Sequence, residues 1–324
     1  MKKEIGGFIE INTIPGKGNL FHKDAIRLNS ARNAFLYLAK AKNIKEVYLP
    51  RYLCEAVFNV CLNNNIKIHF YDFEGFDKPV DYYIKLAPKN AFFYFVNYYG
   101  LYGNEFIKRL KEFYPNLIVD NVQAYFQPPV ENIDTFYTCR KYFGVPDGAF
   151  LYTDINLSEK LPSSDSSTRF DFLYGRLQHS ASEFYSGFLK NEEYINNARL
   201  EEMSLRTFQE LSNINQIETK VLRENNYKYL NEKLVKFNEL GLLKDVEGPY
   251  CFPFKNKYAN ELKKELLKYK IYIPTLWPNV LKEKSLEKQY AEEILPLPCD
   301  QRYGKEEMDF IVSKINEFFS KKHY

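Results

Sequence analysis

Two ionisable residues of opposite sign, Asp120 and Lys141, stand twenty-one positions apart, each just past a short run that reads as a β-strand. Leu117-Ile118-Val119 is apolar throughout and bounded by polar residues, the pattern of a strand buried on both faces. Asp134 to Thr138 reads as a second short strand. In open α/β sheets, ligands gather at the carboxyl ends of such strands, which is where both residues fall. A lysine amine attacks a carbonyl only when neutral, and burial beside another cation, here Arg140, favours the neutral form. A carboxylate at hydrogen-bond distance moves a partner's pKa by about 1–3 pH units, roughly 1.4–4 kcal/mol, enough to keep a ring nitrogen protonated near neutrality. Each residue alone has a plainer reading, the aspartate as a loop cap and the lysine as a solvated surface charge. Their order and context favour chemistry.

Pyridoxal phosphate is the cofactor that requires this pair, an amine to hold its aldehyde carbon and an acid to keep its pyridine nitrogen charged. Asp120-Asn121-Val122-Gln123-Ala124 resembles the D-x-A-Q-A segment of the nucleotide-sugar aminotransferases of the DegT/StrS type, and Phe136 to Gly148 resembles their strand, Schiff-base lysine and glycine turn. The resemblance implies that Asp120 holds the pyridinium, Gln123 lies by the phenolic oxygen and Lys141 carries the cofactor. Asn29-Ser30-Ala31-Arg32 resembles the family's S-G-T phosphate loop, which assigns Ser30, Ala31 and Arg32 to the phosphate, with Arg32 putting a charge where the family has a hydroxyl. A helix beginning at Ser30 suits that role, because its first N–H groups are unpaired and its dipole end is positive.

The chain departs from the pattern at several places. Phe136 occupies the position of the phosphate-binding serine, which leaves Tyr137 or Thr138 to supply the hydroxyl. Cys54 occupies the position of the aromatic that stacks on the ring, with Tyr52 as the alternative; a small buried apolar residue is the plain reading of Cys54. Val145-Pro146-Asp147-Gly148 replaces the usual acid-Gly-Gly. The family's asparagine from the neighbouring subunit has no assigned counterpart, although Asn196 and Asn197 lie nearby. Family dehydratases carry histidine in the lysine's place, so Lys141 favours amino transfer.

The 324 residues carry a formal net charge of +3, with no basic stripe and therefore no nucleic-acid footprint. Five scattered cysteines contain no C-x-x-C pair and suggest neither a disulfide framework nor a zinc site. No apolar run approaches the roughly 20 residues of a membrane span, and the N-terminus lacks the apolar core of a secretory signal, so no membrane contact and a cytoplasmic location are expected.

Along the chain, residues 1–24 contain Gly6-Gly7, Pro15-Gly16 and Gly18 and read as an arm with one short strand near Phe8 to Ile11. Strands EVYLP, IKIHFYDF and AFFYFV then alternate with helices, the first beginning at Ser30 and the second entered through Pro50. The run AFFYFVNYYG ends in Asn97-Tyr98-Tyr99-Gly100, which resembles the family's strand ending H-x-Y-G. This alternation argues for a mostly parallel sheet. Residues 155–198 read as a loop and one helical stretch, and 201–240 as helices with a stripe of Ile217, Val221, Leu230, Leu234 and Phe237. Strands PYCFPF, IYIP and ILPLP and two helices follow, the last with Met308, Ile311, Ile315 and Phe318 inward. Trp277 stands in a segment that resembles the family's H-Y-P and is a candidate to line the site.

The expected fold class is therefore α/β, the pyridoxal-phosphate transferase fold type I. Residues 1–200 form the large domain, 201–240 the linking helices and 241–324 a smaller C-terminal α/β domain. The resemblance implies amino transfer from glutamate to a nucleotide-linked keto-sugar, for surface polysaccharide synthesis, by a homodimer with small-molecule substrates and no metal. The alternatives are a catalytically reduced binding protein on the same fold and an enzyme that acts on an amino acid.

Overall fold

The computed structural model describes residues 4–11, 20–282 and 285–322. After β1 (Ile5–Gly6) and β2 (Ile26–Leu28), the chain alternates through α1 (Ala31–Ala41), β3 (Glu46–Pro50), α2 (Glu55–Asn63), β4 (Lys67–Tyr71), the short α3 (Val80–Tyr83) and β5 (Phe93–Val96). It continues through α4 (Asn104–Phe113), β6 (Leu117–Asp120), β7 (Asp134–Thr138) and β8 (Ala149–Tyr152). Strands β2 to β8 form one seven-stranded sheet in the order β2-β8-β7-β6-β5-β3-β4. Strands β4, β3, β5, β6 and β7 run parallel, and only β8 opposes its neighbours. Every residue of β5 and β6 is buried, as expected for central parallel strands covered on both faces.

One detail differs from the sequence reading here. Pro50 ends β3 rather than opening a helix, and α2 starts at Glu55 with Cys54 at its cap.

Residues 155–198 contain two helices, α5 (Asp171–Gln178) and α6 (Ala181–Asn197), rather than one. The break is written in the sequence: Ser180 and Glu183 form a reciprocal capping box at the start of α6. Next come α7 (Leu205–Ser212), capped by Ser204, and α8 (Gln216–Leu234). The expected apolar stripe of α8 is corrected. Ile217 and Val221 are exposed, whereas Thr219, Arg223, Asn226 and Tyr227 are buried alongside Leu230 and Leu234. Polar side chains face inward because they carry the hydrogen bonds that join α8 to the C-terminal unit.

That unit comprises β9 (Phe252–Lys255), α9 (Ala259–Lys268), β10 (Ile271–Tyr272), α10 (Leu286–Glu293), β11 (Ile294–Leu297) and α11 (Lys305–Ser320). Strands β9 and β11 pair antiparallel. Helix α11 buries Met308, Ile311 and Ile315 as expected, with Phe319 rather than Phe318 completing the stripe.

The arm also differs. Its strand is Ile5–Gly6, not Phe8 to Ile11, and it pairs parallel with β10 of the C-terminal unit. The Pro15-Gly16 and Gly18 part of the expected arm lies outside the described residues. Gly6 has φ +85°, and a Cβ there would sit 2.0 Å from the Tyr272 carbonyl oxygen. Gly6→Ala is therefore expected to undock the arm and cost about 1–3 kcal/mol of stability. Thermal unfolding checks this, with the melting temperature falling and the segment becoming open to proteolysis.

Candidate active site

Asp120 ends β6 between β5 and β7, in register with Val96 and Phe136. Its Oδ2 accepts from the Tyr94 hydroxyl at 2.7 Å and its Oδ1 from the Val122 amide at 3.0 Å. Burial pushes its pKa above the ordinary aspartate value, against the opposing pull of Tyr94, Val122 and the charge of Lys141. Lys141 lies three residues past β7, half-buried, with its Nζ over the Tyr250 ring at 5.2 Å. Its pKa is lowered, chiefly by burial and further by Arg140, while Asp120, Cys54 and Cys251 oppose. Acid and amine thus act on each other but do not close into an ion pair. A partly desolvated amine with a share of its population neutral is what carbonyl attack requires.

Gln123, three residues past the acid, is fully buried. Its Oε1 accepts from the Tyr99 amide at 2.7 Å, which fixes the orientation of the side-chain amide, and among the described residues its Nε2 has no hydrogen-bond partner. An unsatisfied buried donor costs about 1–3 kcal/mol, so the site gains if an acceptor oxygen arrives. The residues present therefore fit pyridoxal phosphate: an acid for its nitrogen, an amine for its aldehyde and a waiting donor for its phenolic oxygen. Gln123→Leu is expected to weaken cofactor retention about 5–30-fold, the worth of one such bond, with the fold intact. Dialysis followed by titration of the visible absorbance checks it.

Ser30 caps α1, its hydroxyl accepting from the Asn33 amide at 3.3 Å, so it serves the helix itself. The backbone amides of Ala31 and Arg32 are among those a helix cannot satisfy internally. The Arg32 side chain donates to Asn196 Oδ1, which places α6 against the start of α1. Arg140 pairs with Glu192 of α6. Burial lowers the pKa of both guanidinium groups, Arg140 to about 10, and the charge of Arg32 is the second cause for Arg140. Two cations that disfavour one another in a partly desolvated place suit an anionic ligand group. Of the two hydroxyl candidates, Tyr137 is engaged, donating to the Gln127 carbonyl at 3.0 Å and accepting from Asn121 at 3.3 Å. Thr138 lines the cavity with Arg140 and Lys141.

Tyr52 does not stand free to cover a ring. It is fully buried, donates to the Leu276 carbonyl at 2.8 Å and packs on Phe73, Tyr98 and Trp277 at 5.0–5.4 Å. Trp277 likewise belongs to this aromatic core rather than to the cavity wall. Cys54 is the residue left near the amine, half-buried at the start of α2 and within electrostatic reach of Lys141 and Arg32.

A cavity of about 970 Å³ opens at Lys141, walled by arm residues Gly6–Ile9, by α6 through Tyr185 and Phe188, and by α9 through Lys263. The sequence reading missed the arm, α6 and Tyr250 as parts of the site. Only the capping box of α6 left a sequence signal; the rest is long-range packing. Among the described residues no group of three or more metal-ligating side chains converges, and no helix is long and apolar enough to cross a membrane.

No protein-family model matches the sequence, and no curated protein matches it. Solved structures do. PseC of Helicobacter pylori, an aminotransferase involved in the biosynthesis of pseudoaminic acid, aligns over 98% of this chain and 100% of its own, at 14% identity and a TM-score of 0.64. NtdA of Bacillus subtilis with bound cofactor pyridoxamine phosphate aligns over 92% and 74%, at 15% identity and TM-score 0.62. A DegT/DnrJ/EryC1/StrS aminotransferase from Brucella abortus aligns over 92% and 87%, at 16% identity and TM-score 0.60. The chain therefore has the fold of the pyridoxal-phosphate-dependent aminotransferases of fold type I.

Proposed function

We propose that the protein is a pyridoxal-phosphate-dependent aminotransferase that moves an amino group from glutamate to a keto-sugar carried on a nucleotide. The observation that carries this reading is a buried acid, Asp120, and a half-buried amine, Lys141, set at neighbouring strand ends of this fold and acting on each other without pairing. The aminotransferases that share the fold support it. When bound, pyridoxal phosphate supplies an electron-withdrawing ring. Asp120, oriented by Tyr94 and Val122, would hold the ring nitrogen, and Gln123 Nε2 the phenolic oxygen. The α1 amides with Arg32 and Arg140 would take the phosphate, and Lys141 Nζ would hold the cofactor and then carry a proton during transfer.

We further propose a cytoplasmic homodimer. Tyr174, Leu177, Tyr185 and Leu189 on α5 and α6 are large apolar side chains left exposed, and all five cysteines are free thiols, which supports a reducing compartment. Light scattering on the eluted protein tests the dimer.

A second reading, a binding protein that keeps the fold without turnover, draws on the Ser30 hydroxyl serving its own helix and on the Arg140–Glu192 pair. The deciding experiment loads the protein with pyridoxal phosphate, adds glutamate, follows the visible absorbance, and then supplies a panel of nucleotide-linked keto-sugars. A band that glutamate shifts and a keto-sugar restores supports amino transfer. A colourless protein, with no adduct at Lys141 after borohydride, overturns it.

A further inference from the structure

Arg223, midway along α8, is wholly buried, and among the described residues no carboxylate pairs with it. Its guanidinium meets neutral acceptors instead. Nε donates to Gln301 Oε1 at 2.7 Å, Nη1 to the carbonyls of Pro249 at 2.9 Å and Tyr250 at 3.3 Å, and Nη2 to the Tyr142 carbonyl at 3.2 Å. It also lies over the Tyr142 ring, 4.6 Å from the centroid. Gln301 Nε2 adds a second donor to the same Tyr142 carbonyl, at 2.7 Å. Asp300 acts on it electrostatically without forming an ion pair, so the buried charge rests chiefly on neutral acceptors, and an apolar residue would fill this helix face more cheaply if packing were all that mattered.

Two of these acceptors border the amine. Tyr142 is the residue after Lys141, and Tyr250 supplies the ring beside which Lys141 Nζ rests. One side chain therefore fixes both the backbone that carries the amine and the surface that the amine lies over. It also joins that backbone to residues 249, 250 and 301 of the C-terminal part of the chain.

We propose that Arg223 is a positioning residue, seconded by Gln301, that holds Lys141 in its desolvated place. The inference rests on the role given to Lys141 above. The groups that act on the amine are Asp120, Cys54, Cys251 and Arg140, and the variants below leave all of them in place.

The test uses the cofactor-free full chain and trinitrobenzenesulfonate, an amine-selective label, with labelling of Lys141 followed against pH by peptide mass spectrometry. In the unaltered protein, Lys141 should reach half-maximal labelling at a lower pH than the exposed lysines. Arg223→Lys keeps the charge but loses the fork that spans several acceptors. The labelling midpoint of Lys141 should then move upward, equivalent to at least about a threefold smaller neutral fraction at pH 7, with the exposed lysines unchanged. If Arg223→Lys does not fold, Gln301→Leu, which removes one donor to Tyr142, must move the midpoint in the same direction. A folded variant with a lower melting temperature and an unmoved midpoint reduces Arg223 to a structural brace and overturns the proposal. Because the label is read without cofactor, failure of the protein to take up pyridoxal phosphate would count against the proposed function alone.

Discussion

Lys141→Ala is expected to remove the visible band of the cofactor-loaded protein and to lower kcat by at least about 10³-fold. General acid–base transfer alone contributes about 10²–10⁴-fold, and here the same amine would also hold the cofactor. The measurements are an absorbance spectrum after gel filtration and a turnover assay, with circular dichroism to confirm folding. Folding should survive. The substitution removes an amine that burial already disfavours, and the loop stays anchored by the amides of Tyr142 and Phe143, which donate to the Cys139 carbonyl at 2.9 Å. Turnover within tenfold of the unaltered protein would remove Lys141 from the chemistry.

Asp120→Ala should lower kcat about 10²–10⁴-fold and weaken cofactor retention. A carboxylate at hydrogen-bond distance stabilises a protonated ring nitrogen by roughly 1.4–4 kcal/mol, and the lost electron withdrawal is felt in every proton transfer. A second, opposite-signed effect identifies the mechanism. The charge of Asp120 is the largest influence raising the pKa of Lys141, so its removal should let that pKa fall further. Lys141 of the cofactor-free variant should therefore become reactive toward amine-selective labels at lower pH, even as turnover collapses. A variant with poor turnover and unchanged lysine reactivity would show that the two groups do not act on each other.

Much of this architecture is legible in the amino-acid order. Runs such as Phe93–Val96 and residues 117–119 read as central strands, because their side chains are apolar or aromatic on both faces. Their alternation with helices leaves few parallel arrangements. Asp120, Gln123 and Lys141 are singled out by the sequence because strand ends in such sheets face ligands, and the structure brings them to neighbouring strand ends. The burial of Tyr52 is not legible in the sequence, because a tyrosine two residues past a strand looks available until the aromatic cluster of Phe73, Tyr98 and Trp277, drawn from distant parts of the chain, closes over it. Helix α8 was misread for the converse reason. Periodicity assumes that apolar means inward, whereas Arg223 and Asn226 are inward because the carbonyls of residues 249, 250, 299, 300 and 303 need donors. Beyond the capping box of α6 the cavity wall has no local signature, since the arm is held there by long-range contacts such as Glu4 with Arg176 and Glu10 with Arg302.

The pairing of Ile5 with Ile271 has a consequence for biogenesis. Synthesis proceeds toward the C-terminus, so Ile5 must wait, without its strand partner, until Ile271 has been made. The seven-stranded sheet, complete once residue 152 has emerged, can form before then. This part of the cavity wall is thus completed only after Ile271 has emerged, long after Ile5.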